Sequence, residues 1–199
     1  ASFFGVNYTL PLRMLIGRWA IWEWIVKLLS TVMSITWHVG LNAYRIHVWD
    51  VEISDAEGNL LEMNTWNSWT TLSINYRNAV FVPLSRHRQI LVTVIRNVIS
   101  YQWLFIHYDK CAVHSDAEAI VAQEKYIAAL VRHVNPYTGY AYKDDPYIVG
   151  FEINNEPCHP GTVAETRNYI NKMLSALKRA GNRKPVFYNV SHNQHVVEA

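Results

Sequence analysis

The sequence has little cysteine, little net charge and no long uninterrupted apolar run, and each scarcity argues against a class of protein. Its two cysteines, Cys111 and Cys158, form no Cys-x-x-Cys pair and cannot build a disulfide scaffold, so one bridge or two buried thiols are the alternatives. Lysine and arginine total 18 against 16 acidic residues and are scattered along the chain, which argues against the one-sided basic surface of a nucleic-acid-binding protein.

The longest apolar stretch, residues 19–37, is interrupted by Glu23 and Lys27. An acid four residues before a base is favourable on a helix, so this stretch predicts a helix with a solvated stripe and no membrane span. The chain begins at Ala1 without the basic and apolar segments of a secretory signal, so we expect such a signal to have been removed or never present. The compartment stays open, with a secreted or periplasmic setting favoured.

Aromatic side chains are plentiful, and 50% of the residues are apolar. The chain has enough material for one core, and we predict a single domain over residues 1–199. Its 8 tryptophans and 12 tyrosines are more than a core requires. Such rings often line sites for flat, hydroxylated ligands, so a carbohydrate is the first candidate ligand, with core packing as the alternative.

Short apolar runs alternate with longer amphipathic segments, which is the pattern of an α/β fold with a parallel sheet covered by helices. The predicted strands span 3–8, 43–49, 90–95, 147–153 and 185–190, and the predicted helices span 20–37, 75–87, 117–134 and 163–180. The third helix starts after Ser115 and Asp116 and stops at Asn135 and Pro136. Its predicted apolar face consists of Ile120, Ile127, Leu130, Val131 and Val134. The fourth helix ends in basic residues followed by Gly181 as a C-cap.

The strongest chemical signal is the predicted strand 147–153, which runs directly into Asn154, Asn155, Glu156 and Pro157. In a parallel α/β fold the carboxyl ends of the strands open on the site face, so Asn155 and Glu156 are placed for catalysis. A carboxylic acid can protonate a departing glycosidic oxygen, and an adjacent amide can bind a sugar hydroxyl. The structural alternative for Glu156 is an acid at the start of a helix, since Pro157 is a good first helical residue.

These residues resemble the (β/α)8-barrel glycoside hydrolases of the clan that contains family 5, in which an Asn-Glu-Pro at the end of the fourth strand holds the general acid/base. Residues 4–8, 40–49 and 186–193 are similar to the first, second and fifth strands of that family. The resemblance implies a TIM barrel and a retaining glycosidase that cleaves β-linked glucan or mannan by double displacement, with no metal or organic cofactor. It implies Glu156 as the catalytic acid/base and Asn155 as an anchor for a sugar hydroxyl.

The second predicted strand carries four further candidates for substrate binding. Arg45 would be costly in an apolar interior without a partner. The resemblance implies that it orients the carboxylate of the nucleophile, whereas a core ion pair with Glu152 is the structural alternative. His47 either contacts a sugar or is a core histidine. Trp49 and Asp50 end the strand, where Trp49 can stack on a sugar ring and Asp50 can accept from a hydroxyl or cap a turn.

His192 and Asn193 end the fifth predicted strand and are the remaining candidates for a sugar subsite, with ordinary turn chemistry as the alternative. The sequence contains no Gly-x-Ser-x-Gly elbow, so Ser191 is not expected to act as a triad nucleophile. Several histidines, His114 among them, fall in loops on the same face, but none has the His-x-x-x-His spacing of a helical metal site. We therefore predict no metal site.

The predicted units take about 45 residues each, whereas a closed barrel of eight units typically takes about 250 residues. We therefore expect an incomplete (β/α)8 barrel of about five strands. Retaining enzymes need a second carboxylate about 5–5.5 Å from the first, and in the resembled family it ends the seventh strand. A missing C-terminal part or a partner chain is expected to complete the barrel and to supply this group, and the isolated chain is expected to be inactive.

Two other classes of protein fit the same residues. In a non-catalytic carbohydrate-binding barrel, the aromatic rim binds sugar and no bond is cleaved. In an assembly fragment, the unpaired edges of the first and fifth strands recruit a partner. Recovery of intact oligosaccharide after binding favours the first of these, and a strictly monomeric, well-folded chain argues against the second.

Overall fold

A computed structural model describes residues 5–8, 43–47, 50–61, 89–95, 108, 112–154, 157 and 161–189. Within these residues, five strands form one parallel sheet in the order β1-β2-β3-β4-β5. The strands are β1 (Gly5–Tyr8), β2 (Ala43–His47), β3 (Gln89–Ile95), β4 (Ile148–Asn154) and β5 (Val186–Phe187). All five predicted strands are confirmed. Because consecutive strands are parallel neighbours, each connection returns the chain to the same end of the sheet, as in a βα barrel.

The strand register places polar residues of distant strands on one face. Glu152 of β4 is aligned with Phe187 of β5, and Gly150, two residues before Glu152, is in register through β3 with Arg45 of β2. Aligned residues of neighbouring strands point to the same side of a sheet, and residues two apart do so as well. Arg45 and Glu152 therefore share a face, although β3 separates their strands.

Three helices and a short 3-10 turn are described. They are α1 (Asp50–Ile53), the 3-10 turn (Ala112–His114), α2 (Ala117–Arg132) and α3 (Val163–Arg179). The helix α2 begins as predicted, because the Asp116 side chain accepts a hydrogen bond of 2.8 Å from the backbone N–H of Ala119. The two predicted helices at 117–134 and 163–180 are thus confirmed, whereas those at 20–37 and 75–87 lie outside the described residues.

The core lies between β4 and the two long helices. Phe151 and Ile153 of β4 are almost fully buried, and so are the inner side chains of α2 and α3 that belong to the same cluster: Ile120, Tyr126, Ile127, Leu130, Val131, Tyr169, Met173, Ala176 and Leu177. Complete burial of one large apolar side chain contributes roughly 1.5–3 kcal/mol. This packing holds β4 against both helices and so fixes the position of the strand that precedes Asn155 and Glu156.

The predicted buried face of the third helix is right at four of its five positions and wrong at Val134, which is 53% exposed. The helix ends at Arg132, and the C-cap residue His133 has an extended ψ of 124°. Val134 then forms an isolated antiparallel bridge with Ala141. Since the chain has already left the helix, the helical periodicity no longer applies at this position.

Gly58 packs so closely against α2 that a side chain there has no room. Its φ is +79°, and an added Cβ would lie 2.0 Å from the carbonyl oxygen of Ala122. We expect Gly58→Ala to lower the free energy of unfolding by about 2–4 kcal/mol, because a left-handed backbone is strained for alanine and the turn must also move away from α2. Urea unfolding measures the loss.

Gly139→Ala is the matched control for this substitution. Gly139 has a similar φ of +71°, and nothing lies within 4 Å of an added Cβ. Its substitution is expected to cost about 1–2 kcal/mol through the backbone alone. Equal losses in the two variants would show that the contact between Gly58 and α2 does not limit stability.

Candidate functional site

The strand β4 carries the predicted catalytic residues to the carboxyl edge of the sheet. It ends at Asn154, and Asn155 and Glu156 follow immediately in the sequence but lie outside the described residues. The strand is buried at every position except the half-buried Val149, and Pro157 beyond Glu156 is buried too. Buried residues therefore flank Asn155 and Glu156, whose roles stay predictions.

An ion pair joins β2 to β4. The Nε atom of Arg45 donates to Oε2 of Glu152 at 2.6 Å, and Nη2 of Arg45 contacts the same oxygen. Asn189, two residues after β5, donates from Nδ2 to the other carboxylate oxygen at 3.0 Å. The side chain of Glu152 is 7% exposed and that of Arg45 is 22% exposed. One buried carboxylate thus ties β2, β4 and the segment after β5 together.

The predicted core ion pair between Arg45 and Glu152 is confirmed. A carboxylate at this depth is stable only when it is paired and hydrogen-bonded, so Glu152 needs Arg45 whatever else the guanidinium contacts. The other role considered for Arg45, orienting the carboxylate of a nucleophile, stays a prediction. The two roles are compatible because a guanidinium has five N–H donors.

A second polar cluster lies at the carboxyl end of β4. The amide nitrogen of Asn154 is 3.0 Å from Nε2 of His114, which lies in the 3-10 turn before α2. A side-chain hydrogen bond also joins Asn154 to Tyr169 of α3. The rings of His114 and Tyr169 meet edge to face, with centroids 4.7 Å apart. Asn154 and Tyr169 have no exposed surface, and His114 is 5% exposed.

Burial controls the ionisation of the tyrosines in this region. It raises the pKa of Tyr169, an effect that the hydrogen bond with Asn154 partly opposes. Burial also raises the pKa of Tyr126 in α2, and the negative charge of Asp50 adds to this shift. Both tyrosines therefore keep their hydroxyl protons well beyond neutral pH, and they act there as hydrogen-bonding groups and not as bases.

Asp50 does not end the second strand as predicted. The strand β2 ends at His47, and Asp50 instead begins the one-turn helix α1. The carbonyl oxygen of Asp50 accepts from the backbone N–H of Ser54 at 2.9 Å and from its hydroxyl at 2.8 Å. The helical turn therefore satisfies the backbone carbonyl of Asp50. The suggested role of Asp50 as acceptor for a sugar hydroxyl stays a prediction.

The remaining predicted site residues are not placed by the structure. The backbone of His47 closes β2, but its side chain is outside the described part of the chain. Trp49, His192 and Asn193 lie outside the described residues altogether, and so do the two cysteines. Their roles stay predictions.

Some polar residues were missed from the sequence although a signal existed. Thr162 and Glu165 form a capping box at the start of α3, in which each side chain bonds the backbone N–H of the other. The Thr-x-x-Glu spacing before an amphipathic helix indicates this motif. Asn189 carried no comparable signal, because its partner Glu152 is 37 residues away in the sequence.

None of the helices in the described ranges is long and apolar enough to cross a membrane. The described side chains bring no three His, Cys, Asp or Glu residues together as a ligand set for a metal ion. The two polar clusters described above consist of hydrogen bonds and the ion pair of Arg45 with Glu152.

No family model matches the sequence, and no curated protein matches it in sequence. Solved structures do match the fold. An endo-1,4-beta-mannanase from Rhizomucor miehei matches over 92% of this chain with 17% identity and a TM-score of 0.63. A GH5_18 protein from Streptomyces cattleya, in complex with GlcNAc, matches over 94% with 14% identity and a TM-score of 0.65. The exo-beta-1,4-mannosidase Op5Man5 from an Opitutaceae bacterium matches over 92% with 16% identity and a TM-score of 0.63.

The chain spans only part of these proteins. It covers 55% of the Rhizomucor enzyme, 44% of the Streptomyces protein and 31% of the Opitutaceae enzyme. At these identities the likeness concerns the fold. The predicted fold class is confirmed: the chain has the architecture of a partial (β/α)8 barrel, of the kind found in glycoside hydrolases of family 5.

Proposed function

We propose that this chain is the acid/base-bearing part of a retaining β-glycosidase that acts on β-1,4-linked mannan or a related β-glycoside. The observation that carries the proposal is a buried parallel strand, β4, that ends one residue before Asn155-Glu156-Pro157 in a family 5-type barrel fold. Mannan is preferred over glucan because two of the similar structures are described as a mannanase and a mannosidase. The chemistry needs no metal or organic cofactor.

In the proposed reaction Glu156 donates its proton to the departing glycosidic oxygen while a nucleophile attacks the anomeric carbon from the opposite face. Asn155 forms a hydrogen bond with the neighbouring sugar hydroxyl. This hydrogen bond becomes stronger as the sugar ring flattens toward the transition state. His47, Trp49, Asp50, His192 and Asn193 are the proposed contacts to the sugar rings. Arg45, besides its ion pair with Glu152, orients the carboxylate of the nucleophile.

The second carboxylate is proposed to come from elsewhere. None of the acids in this chain matches the family's nucleophile position, and the chain covers only 55% of the Rhizomucor enzyme and 31% of the Opitutaceae enzyme. A further part of the same protein, or a partner chain, is proposed to complete the barrel and to contribute the nucleophile. The 199-residue chain alone should therefore bind a sugar without hydrolysing it.

An added anion that takes the place of the missing nucleophile tests whether Glu156 is the general acid of this chain. The chain is incubated with phenyl β-mannoside, whose leaving group needs protonation, with and without sodium azide. Without azide we expect no phenol. With azide, a bond forms between azide nitrogen and the anomeric carbon, the bond to the aryl oxygen breaks, and that oxygen takes the proton of Glu156. The product is the α-mannosyl azide, which mass spectrometry and NMR identify.

Three outcomes separate the possibilities. Azide-dependent product that disappears in Glu156→Gln and persists in Glu118→Gln supports the proposal, since Glu118 is an exposed acid in the first turn of α2. Hydrolysis without azide, lost in Glu156→Gln, would show that the chain holds its own nucleophile. Binding of mannooligosaccharides, recovered intact, with no azide product would overturn the glycosidase and favour a carbohydrate-binding barrel.

A further inference from the structure

The polar cluster around Asn154 forms a closed circuit. The Tyr169 hydroxyl donates to Oε1 of Gln123 at 2.8 Å. The amide nitrogen of Gln123 donates to the carbonyl oxygen of Val113 at 2.8 Å, and Val113 precedes His114. The circuit therefore runs from the end of β4 through the 3-10 turn, α2 and α3, and returns to Asn154.

Donor and acceptor roles within the circuit follow from its geometry. Because the hydroxyl proton of Tyr169 is used by Gln123, Tyr169 can only accept from Asn154. The amide nitrogen of Asn154 also lies 3.0 Å from Nε2 of His114. The two amide hydrogens of Asn154 thus point to two different partners. This arrangement requires a neutral His114 whose proton is on Nδ1.

We propose that His114 and Tyr169 are positioning residues that, through the amide of Asn154, orient the backbone that carries Glu156. The inference rests on the proposed function, because it concerns the same acid/base. Glu156 is two residues beyond Asn154, and a displacement of about 1 Å at a reacting group can cost about a hundredfold in rate.

Apolar side chains would fill this buried region at a lower cost in free energy than the polar side chains that are present. Polar groups lose hydration when they are buried, and the hydrogen bonds of the circuit recover part of that loss. Unlike apolar contacts, hydrogen bonds fix direction as well as distance. The circuit therefore supplies an orientation for the end of β4 that the core around Phe151 and Ile153 does not.

Three variants test the proposal in the 199-residue chain. His114→Leu keeps volume but removes the acceptor, His114→Gln restores an acceptor, and Tyr169→Phe removes only the hydroxyl. Azide-dependent kinetics with phenyl β-mannoside should show kcat lowered about tenfold in His114→Leu and Tyr169→Phe, with KM within about twofold. His114→Gln should recover most of kcat. His133→Leu is the control. His133 is the C-cap residue at the other end of α2, and its ring packs against that of Tyr142.

A second measurement does not depend on turnover. The ¹³C signal of the Glu156 carboxyl, assigned with Glu156→Gln, is titrated in each variant. We expect a displaced midpoint in His114→Leu and Tyr169→Phe, a wild-type midpoint in His133→Leu, and ¹⁵N shifts of His114 that show Nε2 as the acceptor. Unchanged titration curves in all variants, or a proton on Nε2 of His114, would overturn the positioning role.

The two measurements distinguish the two proposals. If wild-type protein forms no azide product, the proposed function fails, while the carboxyl titration still decides whether the circuit orients Glu156. If the azide product forms and neither kcat nor the titration responds to the variants, the circuit contributes to stability alone and the positioning role is wrong.

Discussion

Replacing Arg45 by methionine is expected to lower the free energy of unfolding by about 3 kcal/mol. Methionine keeps much of the length of the side chain but removes the charge and all donors. Glu152, 5% exposed, would keep its hydrogen bond from Asn189 but lose the positive charge of the guanidinium. A buried carboxylate without its counter-charge accounts for the loss.

A loss of about 3 kcal/mol lies at the lower end of the range for breaking a buried ion pair. The Arg45 side chain is 22% exposed, so water reaches part of the pair and weakens it. The measurement is urea unfolding of the two proteins at neutral pH. A loss below about 1 kcal/mol would show that the pair behaves as a surface ion pair and does not hold the strands together.

Two comparisons make the result specific. Arg179→Met breaks the pair between Arg179 and Glu124, whose arginine is 66% exposed, and should cost less than about 1 kcal/mol. The double variant Arg45→Met with Glu152→Gln should recover a large part of the loss, because the glutamine is neutral and still accepts from Asn189. Without such recovery, the loss would come from packing of the arginine stem and not from charge.

The sequence predicted the strands well because each strand has its own composition signal. Buried parallel strands are continuous apolar runs, and β4 is one such run from Ile148 to Ile153. The ends of elements were predicted less well, since they depend on local hydrogen bonds. The chain turns into α1 at Asp50, where Ser54 satisfies the first carbonyl, and no periodicity reports such a turn.

The two polar clusters differ in how well the sequence predicts their contacts. The pair of Arg45 with Glu152 was predictable because each charge on a buried strand needs an opposite charge. The cluster of His114, Asn154 and Tyr169 was not, because neutral side chains accept many partners and only the packing of α2 and α3 selects these ones. The partner of a buried charge can therefore be predicted from the sequence more readily than the partner of a buried amide.

Glu156→Gln is expected to slow azide-dependent cleavage of phenyl β-mannoside by about 10²–10⁴-fold, the range typical of a general acid. Glutamine has nearly the same shape as glutamate and can still bind the glycosidic oxygen, but it has no acidic proton to give. Phenoxide is a poor leaving group, so its departure depends on that proton. The same variant should also lose the basic limb of the pH profile, since that limb reports deprotonation of the acid.

A comparison of leaving groups distinguishes proton donation by Glu156 from a role in substrate binding alone. With 2,4-dinitrophenyl β-mannoside, whose leaving group departs without protonation, Glu156→Gln should change the rate by less than about tenfold. A loss that grows with the basicity of the leaving group therefore identifies proton donation at this position. If both substrates slowed equally, Glu156 would act by binding or by supporting the fold, and the general acid would have to be sought on another strand.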